Sequence, residues 1–258
     1  MLKKNITKAF LYCLFILTCT ACNNLGDEAA INISDEFLID MFQVLDQSNF
    51  ELLLELSTSE KFDCTNYQIG INRYAIDNTI EFILNNIQEP EVCEIGTGPA
   101  ISEIKVPVND IDQHLKFFYT NEIFDEALIS IKEDKVVLDL KSNNGIKYFI
   151  NELSPIPPHT ITLLFEYDNQ NAKSIQHEYL AKLNQIIQAN QLPEGYYGYF
   201  SVEGGLINAK TSDYRFSEGL HFDISNSSES AIQEFENLLR EIQEVLNSEV
   251  NIAVFKTF

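Results

Sequence analysis

The stretch SDEFLIDMFQVLDQSNFELLLELS, Ser34–Ser57, decides how the first half of this chain begins, and its spacing predicts helix. Phe37, Leu38, Met41, Val44 and Leu45 recur at steps of three and four residues, which places them on one helical face. Asp46-Gln47-Ser48-Asn49 interrupts the run. Ser48 followed by Glu51 has the form of a capping box for a second helix through Leu52, Leu53 and Leu56. The expectation is a short helical hairpin or a kinked helix.

Downstream the period shortens. Tyr67, Ile69, Ile71 and Arg73 alternate with polar or small residues, and Ile101, Ile104, Val106 and Val108 do so less cleanly, with Pro107 arguing for an edge strand. Ala127–Ile131 and Val136–Leu140 flank Lys132-Glu133-Asp134-Lys135 and read as a hairpin. Glu81–Ile87 and Ile111–Phe118 fit helix or strand equally, because a short apolar run does not separate the two. Ser154-Pro155-Ile156-Pro157-Pro158 cannot lie within a helix or a central strand and reads as a linker.

Beyond the linker the pattern predicts a strand at Thr160–Tyr167, a helix at Lys173–Ala189, a strand at Tyr196–Val202, a strand at Leu220–Ile224, a helix at Ser230–Asn247 capped by Ser230 and Gln233, and a strand from Val250 to Phe258. That is the β-α-β-β-α-β order of a ferredoxin-like domain. Both helices would cover one face of its sheet, leaving the other for the first domain, an oligomer partner or a ligand. The fold class expected is therefore α+β. A mixed helix and antiparallel-sheet domain spans residues 34–153, a Pro-rich linker 154–159, and a ferredoxin-like βαββαβ domain 160–258.

Upstream, Lys3, Lys4 and Lys8 precede an apolar run, Ala9–Leu17, and then Thr18-Cys19-Thr20-Ala21-Cys22. A positive start, a short apolar stretch and small residues make a secretory signal. The run is shorter than the about 20 apolar residues that span a bilayer. Small residues directly before Cys22 resemble the lipobox of bacterial lipoproteins, although Cys19 stands where that family usually carries an aliphatic residue. The resemblance covers the first 22 residues. It implies a signal peptide over 1–21, lipidation of Cys22, a tether over 22–33, and residence in the cell envelope on the outer membrane, anchored by acyl chains that contribute about 0.8 kcal/mol per buried CH₂.

Charge excludes some partners. Seventeen Lys and Arg against 39 Asp and Glu give −22, and residues 1–21 hold three lysines and no acid, so the chain from Cys22 onward carries −25. Without a basic stripe there is nothing to displace counterions from nucleic acid, and an anionic bilayer surface repels such a chain. Of five cysteines, Cys13 and Cys19 leave with the signal and Cys22 takes lipid, so Cys64 and Cys93 remain. In an oxidising compartment they pair most simply as a disulfide, closing a roughly 30-residue loop with a contribution of about 3 to 4 kcal/mol.

Catalytic patterns are lacking. His177-Glu178 opens the zinc-protease motif, but Ala181 occupies the place of its second histidine. His114, His159 and His221 have no neighbours at ligand spacing, Asp168–Asn171 lacks the acids and glycine of a calcium loop, and no nucleophile elbow or phosphate loop occurs. Neither cofactor nor metal is expected. Two features remain as candidate partner-binding groups: the aromatic run Tyr196-Tyr197-Gly198-Tyr199-Phe200, and the long loop Gly204–Gly219 with Lys210, Asp213, Tyr214, Arg215 and Phe216. Tyr197, Tyr199, Tyr214, Arg215 and Phe216 are the residues expected to meet a protein partner, since aromatic and Arg side chains anchor interfaces. The expected role is that of a non-enzymatic, lipid-anchored recognition protein. The alternatives are an immunity or inhibitor lipoprotein that neutralises a basic periplasmic toxin, and an envelope hydrolase using dispersed carboxylates.

Overall fold

The described part of this opening stretch enters the fold as two strands. In the computed structural model, which describes residues 36–45, 50–108, 112–120, 122–168, 170–210, 216–246 and 250–257, β1 (Phe37–Gln43) and β2 (Glu51–Cys64) form an antiparallel hairpin from Phe37↔Thr58 to Gln43↔Leu52. Leu52, Leu54 and Leu56 face the core on a strict period of two, as do Phe37, Ile39 and Met41. The helical spacing was misleading because β1, apart from Leu38, is buried on both faces. Phe42, on the outer face, packs against the ring of Tyr199, so alternation is masked and steps of three and four appear by default. Ser48, of the expected capping box, lies outside the described residues, and Glu51 is the first residue of β2.

Eight further strands extend this hairpin into one curled sheet: β3 (Gln68–Ile76), β4 (Thr79–Gln88), β5 (Ile95–Pro107), β6 (Gln113–Phe118), β7 (Phe124–Lys132), β8 (Lys135–Leu140), β9 (Ile146–Tyr148) and β10 (Glu152–Leu153). Their spatial order is β10-β8-β7-β6-β4-β3-β5-β2-β1-β9. The two undecided runs are thus strands, β4 and β6, and no helix occurs among the described residues of this half. The hairpin at 127–140 forms as expected, with Glu133 and Asp134 at φ 50° and 64° in a two-residue turn whose twist matches the strands. Pro107 ends β5 opposite Glu51, yet β5 is an interior strand, contrary to the edge position expected; its last residue is where a missing N–H costs least.

One short segment closes the curl. β9 lies parallel to β1, Phe149 N donates to Ile39 O at 2.9 Å, Leu138 N donates to Asn151 O at 2.9 Å, and β10 pairs with β8. Residues 146–153 therefore bridge the two ends of the sheet and remove edges that would otherwise offer unpaired backbone to other chains. Asp125 fixes the turn into this segment. Its buried carboxylate accepts Asn144 N (2.7 Å), Gly145 N (2.8 Å), Ile146 N (2.9 Å) and the Tyr119 hydroxyl (2.7 Å). Burial acts to raise its pKa, but these hydrogen bonds outweigh it and hold the carboxyl below its usual range. The sheet is loosest between β3 and β5, which share a single register pair, Gln68↔Ile101.

The second half holds β11 (Thr160–Tyr167), α1 (Gln170–Ile186), β12 (Ala189–Asn190), β13 (Gly195–Tyr196), β14 (Phe200–Glu203), β15 (Leu206–Ala209), β16 (Phe216–Asp223), α2 (Glu229–Leu246) and β17 (Val250–Lys256). A four-stranded antiparallel sheet runs β12-β16-β11-β17, with α1 and α2 on one face through Leu183, Phe235, Leu239 and Ile242. Ser228, rather than Ser230, caps α2: its Oγ accepts from Ala231 N at 3.2 Å.

The expected ferredoxin-like unit is corrected here. Tyr196–Val202 does not join this sheet as its second strand; residues 195–209 form a separate three-stranded sheet, β13-β14-β15. Strand dominates the chain as a whole, and the α+β division fails with it. The physical reason is the second face of β11, whose eight residues are all buried. Leu164 on that face meets Tyr197, Phe200, Val202 and Ile207 from the small sheet, together with Ile156 and Leu192. Gly219 permits the approach: a Cβ there would lie 2.6 Å from Ile207 Cβ. Cover for this face thus comes from the insertion between α1 and β16.

Candidate recognition surface

The aromatic run proves to be a junction between the two halves. Tyr197 is 2% exposed, its ring stacks on Phe200 at 5.1 Å, and its hydroxyl donates to Pro193 O at 3.0 Å. Tyr199 stacks on Phe255 at 5.1 Å, leans on Phe42 at 5.2 Å, and donates its hydroxyl to Gln43 O at 2.8 Å. Between them Gly198, at φ 82°, crosses β1 so closely that a Cβ would sit 2.7 Å from Met41 O. The hydroxyl of Tyr196 lies 2.9 and 3.0 Å from the two oxygens of Asp40, which also pairs with Lys210. Lys210 sits 4.2 Å above the Phe42 ring and 5.5 Å from that of Phe149. Burial, then the charge of Asp40, pushes the Tyr196 phenol far above its ordinary range.

Tyr197 and Tyr199 therefore have their binding capacity committed internally. Tyr214 and Arg215 lie outside the described residues; Phe216 begins β16, and its side chain is likewise outside them. The long loop shrinks, because 206–209 is strand and 216–223 is strand. The Pro-rich segment is pinned as well. Ile156 N donates to Gln43 Oε1 at 2.7 Å, and Pro157 O accepts the hydroxyls of Thr160 (2.7 Å) and Thr257 (2.6 Å). His221 is buried against Thr162 Oγ1, 2.9 Å from Nδ1, and burial lowers its pKa to about 4.

The surface that remains lies at the disulfide. Cys64, ending β2, joins Cys93 in the β4–β5 connection, as the cysteine count led us to expect. Three hydrogen bonds reinforce the bridge: Thr65 N to Glu94 O (3.0 Å), Asn66 Nδ2 to Val92 O (2.8 Å) and Glu94 N to Asn66 Oδ1 (3.1 Å). Yet this fixed loop holds the two most exposed large apolar side chains among the described residues, Ile95 at 99% and Val92 at 78%. Glu89, Glu91 and Glu94 of the loop, and Asp63 beside Cys64, are all exposed. None forms an ion pair with a described residue, so the loop keeps its share of the chain's negative charge uncompensated at short range. Sequence reading noted the cysteines and missed the loop. Its signal was the alternation of acid and aliphatic in Glu91-Val92-Cys93-Glu94-Ile95.

No protein-family model, curated protein or solved structure matches this chain. A lesser exposed region is the turn end of the β3–β4 hairpin, where Tyr74 and Ile76 stand 51% and 59% exposed. Among the described residues no three His, Cys, Asp or Glu side chains are grouped to hold a metal.

Proposed function

We propose that this chain is a lipid-anchored, non-enzymatic protein of the bacterial cell envelope that acts by protein–protein recognition. Anchoring rests on the order of its first 22 residues, basic start, short apolar run, small residues and Cys22. The Cys64–Cys93 pair is what a chain folded in an oxidising compartment carries. The observation that carries the recognition reading is the exposed, pinned loop around Val92 and Ile95, since apolar side chains held rigidly in water mark interaction sites. A narrower reading, an inhibitor of a basic envelope or secreted protein, is favoured by the exposed acids of that loop, none of which is in an ion pair among the described residues.

Two measurements test the proposal. Replacing Cys22 with Ser should move the protein from the membrane to the soluble envelope fraction, and continued membrane association would refute the anchor. Residues 23–258, immobilised and exposed to envelope fractions at low and high salt, should retain a protein. Loss at high salt favours the inhibitor reading, and retention of glycan alone counts against protein recognition.

A further inference from the structure

We infer that the stapled loop Glu89–Ile95 is the contact site, and that it inserts Val92 and Ile95 into an apolar pocket whose rim carries Lys and Arg. The inference rests on the recognition reading and specifies its geometry. Ile95 and Val92 project from backbone fixed by one covalent and three hydrogen bonds, so little freedom is lost when a partner closes over them. The short Phe62–Tyr67 stack, 4.6 Å between ring centroids, supports the base of the loop from β2. Asp63, Glu89, Glu91 and Glu94 are exposed in the same segment, Asp63 and Glu94 accept the hydroxyls of Tyr67 and Thr65 at 3.4 Å, and none of the four has a cationic partner among the described residues. Carboxylates in that position would lose solvation at an apolar or acidic interface and gain from a basic rim.

The same four acids exclude two other occupants. A second copy of this chain would set like charges against one another. An anionic bilayer would repel the loop before its aliphatic groups reached the acyl region. Leu206, the exposed residue at the tip of the β14–β15 hairpin, lacks this frame: Gly204 and Gly205 precede it, and no disulfide holds it.

Position-specific photocrosslinking in the intact, anchored protein tests the site. A benzophenone amino acid at position 95 or 92 should give one protein adduct, with far less from Leu206. The crosslinked residue of the partner should map to an apolar pocket flanked by Lys or Arg. With that partner purified, Ile95→Ser should weaken binding about 10- to 100-fold, and Glu91→Gln with Glu94→Gln should flatten the dependence of affinity on salt. Adducts from Tyr74 or Ile76 but not from 92 or 95 would overturn the site while leaving recognition standing. No protein adduct from any exposed position would overturn both. A contact lined by acids, or binding to vesicles of phosphatidylglycerol and phosphatidylethanolamine that survives in Ile95→Ser, would overturn the partner chemistry.

Discussion

Two apolar segments of this chain have opposite fates. Tyr196–Phe200 is aromatic and invites reading as a binding surface, yet it is sealed between β1, β17 and the small sheet. Glu89–Ile95 looks like an acidic connection, yet it holds Val92 and Ile95 in solvent. Side-chain type alone did not separate them. What separates them is whether a face of the fold lacked cover: the outer face of β1 and the second face of β11 both did, and the aromatic run supplies it. The loop covers nothing and is kept in place by a covalent bond.

The contrast can be broken most sharply at Tyr197. Truncation to Ala should cost about 4 kcal/mol of stability, the usual range for a buried aromatic side chain, read from urea unfolding. A stable Tyr197→Ala protein would mean that the ring is not structural. Replacing Cys64 and Cys93 together with Ser should cost about 3 kcal/mol through the 29-residue separation it no longer closes, and should lower the protection of amides 89–95 in hydrogen exchange. Unchanged protection would assign the rigidity of the loop to its hydrogen bonds instead.

Acid should weaken the junction side of the molecule by a comparable amount. His221 titrates near pH 4 in the folded chain against an ordinary 6.5, because burial disfavours its charged form more than Asp223 favours it. The unfolded chain therefore takes up a proton that the folded one refuses. The stability lost grows as pH falls from 6.5 and reaches at most about 3 kcal/mol by pH 4. Asp125 adds loss at lower pH, as its depressed carboxyl is protonated. His221→Gln should flatten the pH 6.5 to 4 segment alone, and an unchanged slope would mean that the imidazole is not held neutral. The smallest effect belongs to the loop. Ile95→Ser should shift stability by less than about 0.5 kcal/mol, and a larger loss would show that Ile95 packs in solution.

Parts of this architecture were legible in the residues. The turn Glu133-Asp134 between alternating runs specified its hairpin, Thr160–Tyr167 its strand, and the apolar stripe Phe235, Leu239, Ile242 its helix. Cys64 and Cys93, the two cysteines beyond residue 22, form the bond expected of them. Each of these depends on groups close in sequence, or on a pair with no alternative partner. The candidate surface was legible only in part, because the alternation of acid and aliphatic at 91–95 carries no sign of exposure.

Local pattern determined the helices of the second half and the central hairpin, since period and turn chemistry act within a few residues. Tertiary structure alone decided that Phe37–Gln43 and Glu51–Cys64 are strands, that 146–153 closes the sheet, and that 195–209 leaves the four-stranded sheet to cover β11. Those outcomes depend on which faces remain to be buried once distant segments have met. A residue such as Phe42, core-like on an outer face, acquires its meaning only when Tyr199 arrives against it.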